Sequence, residues 1–203
     1  MSPENKSIRE KIILAVIEGI EEHGIQSLTV REIAQRAEVN VAAINYHFGS
    51  KDNLFDIALH QTLDEAFVNM IDEELEVAGR SKSESLQAFF TALLVGMRQY
   101  PGLTRAHIYA PLLQNDYRGV FASRFSQFLS DLHQQCKKFF PQMTDQHLQL
   151  TLMEMLSAVM FPGLLSGLFS EYTGIDFDDP ADQARYIEHL VYRYFPLSDE
   201  DQG

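Results

Sequence analysis

Residues 26–55 mark three helix starts in close succession, and that constrains the fold more than anything else in the chain. Thr29 precedes Glu32 by three positions, the spacing at which each side chain satisfies a free backbone amide at a helix start. Val30, Ile33, Ala34 and Ala37 then recur at helical spacing, which predicts a helix over about 30–37 with one face inward. Glu38-Val39-Asn40-Val41 breaks the pattern, and Asn40 is a good N-cap for a second helix over about 41–48. Gly49 permits a left-handed exit, and Ser50 caps the helix that follows. The layout is a helix-turn-helix.

The second of these helices has one strongly apolar inward position, Ile44, surrounded by Val41, Ala42, Ala43, Asn45, Tyr46 and His47. Alanines let a backbone approach the floor of a DNA major groove, and their methyls can touch thymine methyls. Asn45 can form a bidentate pair with adenine, while Tyr46 and His47 can donate to phosphate oxygens. The amides at the next helix start and the Lys51 ammonium suit a backbone phosphate. A buried hairpin without a nucleic-acid role would not need so polar and small an outer face.

Here the chain resembles the TetR family of bacterial transcription regulators. The resemblance rests on Thr29-Val30-Arg31-Glu32-Ile33-Ala34, Val39, Ala42-Ala43-Ile44-Asn45-Tyr46-His47-Phe48, Lys51 and Leu54-Phe55, within about residues 8–60. It implies an all-α protein: a three-helix DNA-binding domain over 1–50, then a helical effector-binding and dimerisation domain over 51–203. By position it implies phosphate contacts from Thr29, Arg31, Tyr46, His47 and Lys51, and base-facing roles for Val41, Ala42, Ala43 and Asn45. Asn45 departs from the family, which commonly has an aromatic there. The implied function is a ligand-responsive regulator, a repressor in the usual outcome, released from a near-palindromic operator by a small molecule.

Net charge is the apparent objection to DNA binding, at −13 overall. Residues 1–60 contribute −3 and residues 61–203 contribute −10, so the acid sits mainly outside the candidate interface. Within 28–51, three basic residues face two acidic ones, with His47 in addition. An acidic body weakens non-specific binding and predicts modest affinity with marked salt dependence. No apolar run is expected to span a bilayer and no signal peptide opens the chain, so a cytoplasmic protein without membrane attachment is expected. The single cysteine, Cys136, excludes an intramolecular disulfide and is expected to be a helix-surface or partly buried thiol. His133 and Cys136 give only half of a metal site, so neither metal nor cofactor is expected.

Elsewhere the chain reads as further helices. Ser7 and Glu10 open a first helix that Gly24 stops, and Glu21-Glu22 is expected to be solvated surface. A long helix is expected from Ser50 to about Ala78, then helices over about 84–99, 103–114 and 117–139. Over Thr144–Tyr172 an apolar series at Leu148, Leu152, Met155 and Val159 is read as a seam, with a kink at Pro162-Gly163. A final helix from Pro180 repeats this with Ala184, Ile187, Val191 and Tyr194. Helices near 145–172 and 180–195 are therefore expected to pair two chains into a homodimer.

Aromatic and Met residues suggest a small-molecule pocket lined by Phe89, Met97, Tyr100, His107, Tyr109, Phe121, Phe125, Met153 and Phe161. Tyr100, His107 or Tyr109 would orient the ligand, and the sparse Lys and Arg favour a neutral or cationic aromatic effector. No nucleophile elbow, dinucleotide fingerprint, P-loop or zinc-protease motif is present, so an enzyme is not expected. The remaining alternative is an all-helical dimer that docks another protein without reading DNA.

Overall fold

The computed structural model describes residues 7–67 and 70–197. Among these residues the chain forms ten α-helices and no strand. In order they are α1 (Ile8–His23), α2 (Val30–Arg36), α3 (Val41–Phe48), α4 (Lys51–Phe67), α5 (Met70–Leu75), α6 (Lys82–Gln99), α7 (Pro101–Leu113), α8 (Val120–Phe139), α9 (Asp145–Thr173) and α10 (Pro180–Tyr194). Packing divides the chain into two units. One comprises Met1–Glu65 with Tyr100–Arg124, and the other Ala66–Gln99 with Phe125–Gly203. This division does not follow a boundary at residue 50, because α7 packs on α1.

Local chemistry sets the first unit's helix ends. Ser7 with Glu10 and Thr29 with Glu32 form complete capping boxes, and Asn40 caps α3 by accepting from the Ala43 N–H at 2.8 Å. The core of this unit gathers Ile12, Val16, Ile20, Leu28, Ile33 and Ile44. Helix α7 begins earlier than expected. Pro101 stands at its first position, where a missing N–H costs nothing. Glu21, expected to be solvated, reaches across to α7 and accepts from the amides of Gly102 (3.1 Å) and Leu103 (2.9 Å). A Cβ at Gly102 would lie 2.6 Å from the Glu21 carbonyl oxygen, so only glycine allows this approach. Glu22, its neighbour, pairs with Arg36 at 2.7 Å, and that guanidinium holds its carboxyl below the ordinary range.

In the second unit α6 packs against α5, α9 and α10 around a core that includes Phe89, Phe90, Phe140, Leu152 and Val191. The single helix expected over 50–78 is described as two, α4 and α5, and residues 68–69 between them lie outside the described residues. The expected kink in α9 is present, with its non-helical dihedrals at Leu165 rather than at Pro162 itself. Pro162 has no N–H to give the Ala158 carbonyl; the Tyr186 hydroxyl donates to that carbonyl instead, at 2.8 Å. Asp179 caps α10 through the amides of Ala181 and Asp182, while Asp178 takes a forked bond from Arg98. Cys136 is fully buried, not at a surface, and burial pushes its thiol up to about 12.

The apolar seams require correction. Leu148, Leu152, Met155, Val159, Ile187 and Val191 are all buried in this unit's own core, because α9 and α10 must first close that core. A different stripe of α9 is apolar and exposed: Leu150, Met153, Phe161, Leu165, Leu168 and Tyr172. Apolar residues on two faces also make α9 long and apolar enough to cross a bilayer by length and composition, contrary to the expectation that no segment is.

Candidate nucleic-acid interface

Helix α3 is fixed from below by two inward side chains, Ile44 and Phe48, a turn apart and both almost wholly buried. Its opposite face is open. Val41, Ala42, Asn45, Tyr46 and His47 are exposed and Ala43 is partly so, with Tyr46 reaching 85% exposure. The Tyr46 and His47 rings meet edge to face at 5.2 Å between centroids. Two anchors hold the turn before α3: the Val39 amide donates to the Ala34 carbonyl at 2.9 Å, and Glu38 takes a left-handed φ of 56°. After α3, Gly49 takes a φ of 74° and donates to the Asn45 carbonyl. Ser50 Oγ then accepts from the Asn53 amide at 3.1 Å, and Asn53 Nδ2 donates to the Phe48 carbonyl at 2.8 Å. The result is a rigid helix of small and polar groups presented on a braced support.

Around it stand the cationic and hydroxyl groups expected to meet phosphates. Arg31 is exposed on α2, and the Lys51 ammonium lies 4.9 Å from the Phe55 ring centroid. Thr29 is differently occupied. Its hydroxyl donates to Glu32 Oε2 at 2.7 Å, so its proton is spent on the capping box. A phosphate would have to take that bond over. Arg9 adds a cation that sequence reasoning missed, with its guanidinium 5.4 Å from the Phe48 ring at the end of α3. Nothing local in the sequence links a residue near the start of α1 to the far end of α3.

The nine residues suggested for a ligand pocket are divided between the two units. Tyr100, His107, Tyr109 and Phe121 belong to the first unit; Phe89, Met97, Phe125, Met153 and Phe161 belong to the second. Phe89 and Phe125 stack with Phe128 inside the second unit's aromatic core. Met153 and Phe161 lie instead on the exposed stripe of α9, at 56% and 58% exposure. Tyr100 is half exposed, and the Tyr109 hydroxyl accepts from the Gln26 side-chain amide.

His107 is the most constrained of the nine. Its Nε2 lies 3.1 Å from Thr62 Oγ1 on α4, and its ring faces Phe121 on α8 at 6.4 Å. Burial alone lowers its pKa to about 4, so the ring is neutral near pH 7. Beside Thr62 on α4, His60 and Asp64 hold Arg124, with an Arg124–Asp64 distance of 2.9 Å. No group of three or more His, Cys, Asp or Glu side chains converges to hold a metal among the described residues.

Residues 12–57 match the family described as "Bacterial regulatory proteins, tetR family". The chain is 24% identical over 119 residues to the HTH-type transcriptional repressor KstR2 of Rhodococcus jostii (strain RHA1). That stretch covers 59% of this chain and 54% of the repressor, so the chain spans about half the length of this curated relative. Among solved structures, a protein of Mesorhizobium loti MAFF303099 described as a TetR-family transcriptional regulator shares the fold. It has a TM-score of 0.72 and 17% identity, covering 92% of this chain and 94% of its own. The multidrug binding protein EbrR, solved with malachite green, has a TM-score of 0.65 at 21% identity, covering 96% of this chain and 100% of its own. Residues 12–57 thus carry a segment of the tetR family of bacterial regulatory proteins, and the described residues share the fold of solved TetR-family structures.

Proposed function

We propose that this chain is a ligand-responsive transcriptional repressor that acts in the cytoplasm as a homodimer on a near-palindromic operator. The observation that carries this reading is the open face of α3, where small and polar groups are held over a buried Ile44–Phe48 support. Val41, Ala42, Ala43 and Asn45 face the bases, and Thr29, Arg31, Tyr46, His47 and Lys51 meet phosphates, with Arg9 as a further cation. Repression is supported by the relative named as a repressor. Response to a small molecule is supported by the similarly folded multidrug binding protein.

One reading helix contacts too few base pairs for a specific site, so a two-fold partner is needed. The exposed apolar stripe of α9, with Tyr192 on α10, supports a pairing surface near 145–172 and 180–195. An effector that binds one arrangement of the dimer better than the other changes the spacing of the two α3 helices and releases DNA. We read the chain as a regulator rather than an enzyme, a reading that the matched family and the named repressor support.

Tyr46→Ala tests the assignment, because this exposed ring supports no core packing. Operator affinity should fall at least tenfold, the equivalent of one good phosphate contact with its orientation lost, while thermal stability stays unchanged. If the variant binds DNA as well as the native chain and still pairs with another protein, the chain is a protein-docking dimer instead.

A further inference from the structure

The proton on His107 can be placed from its neighbour. The Thr62 hydroxyl lies 3.0 Å from the Leu59 carbonyl, and with its one proton donated there the oxygen accepts from His107 Nε2 at 3.1 Å. In a neutral imidazole the other nitrogen, Nδ1, then carries a bare lone pair. That atom is buried, and no described group of the chain donates to it. A buried acceptor without a donor is costly, and such a group in a folded chain calls for a partner. An aromatic face, Phe121, stands beside the ring. The cation on the same helix, Arg124, is already held by Asp64 and His60.

We propose that His107 Nδ1 is the hydrogen-bond acceptor for the effector, which is an aromatic compound bearing an O–H or N–H donor. A carboxylate, which offers only acceptors, is rejected because two lone pairs would then oppose each other. The inference rests on the reading of the chain as effector-responsive, and it names the chemical class that the site selects. It places the site among α4, α7 and the start of α8, within the first unit.

The test uses the full-length protein and three matched probes: 1-naphthol, 1-methoxynaphthalene and 1-naphthoate. Side-chain nitrogen NMR reads both His107 nitrogens directly, with the signals assigned by their loss in His107→Phe. The expected spectrum shows a proton on Nε2 and none on Nδ1 near pH 7. Naphthol should move the Nδ1 signal saturably and bind roughly tenfold more tightly than either other probe. His107→Phe should abolish that preference. Should this variant not fold, the tautomer and the probe ranking in the native chain still decide the matter, with His107→Gln supplying the assignment. A proton on Nδ1, equal binding of naphthol and its methyl ether, or no binding by any probe would overturn the proposal. Selection of DNA from a random pool by the same preparation separates the two readings. A recovered operator without naphthol preference removes the site and leaves the regulator, whereas naphthol preference without an operator does the reverse.

Discussion

His107 is neutral in the folded chain because burial makes its charged form expensive, and that has a consequence for stability. Its folded pKa of about 4 lies below the ordinary imidazole value of 6.5, so the unfolded chain binds the proton more readily. Stability is therefore unaffected by this group above about pH 6.5 and falls as pH drops through the window down to about 4. The full loss approaches about 3 kcal/mol. Denaturant midpoints measured from pH 8 to 4 should decline in the native chain and flatten over that window in His107→Phe. The sequence offered His107 only as one of three polar residues, with Tyr100 and Tyr109, that could orient a ligand. Its tautomer depends on Thr62 and Leu59, which share α4 but lie 45 and 48 positions away in the chain. Asn40, Thr29 and Ser7 were legible because each cap bonds an amide three positions along.

Elements follow the same division between local and distant causes. Helices α1, α2 and α3 end where their caps and apolar spacing indicate, since those signals lie within each helix. The α1–α7 junction is different: Glu21 caps a helix 81 residues away, and Tyr100 at the start of that helix makes no side-chain cap. Gly102→Ala would drive a methyl against the Glu21 backbone, with a cost of about 1–3 kcal/mol expected by urea unfolding. A loss below about 0.5 kcal/mol would mean that α7 does not sit tightly on α1. In α9 the spacing of Leu148, Leu152, Met155 and Val159 is helical and apolar, but spacing alone does not say which chain covers the face. Their own unit covers it. Tyr186→Phe should leave the Ala158 carbonyl beside Pro162 without its donor and cost about 1–3 kcal/mol. An unchanged melting temperature would show that the kinked helix satisfies that carbonyl in another way.

For the whole molecule, the acidic balance of −13 and the reading face of α3 make opposite demands. In the proposed function, repulsion between the acidic body and DNA would lower binding to arbitrary sequence, so occupancy would depend on contacts between α3 and the groove. Both the all-helical fold and the helix-turn-helix could be read from the chain, since periodicity and capping report them directly. The division into packed units could not, because α7 returns to α1 through contacts remote in sequence. A single Ile44-centred helix cannot specify an operator, so the proposed function requires two of them held in phase by a two-fold dimer. Selection of bound duplexes from a random pool measures that requirement most directly. The expected product is an inverted repeat whose half-site centres lie about 10–10.5 base pairs, or a multiple of that, apart, and that Tyr46→Ala does not recover. Recovery of no common sequence, or of a single unpaired half-site, would contradict it.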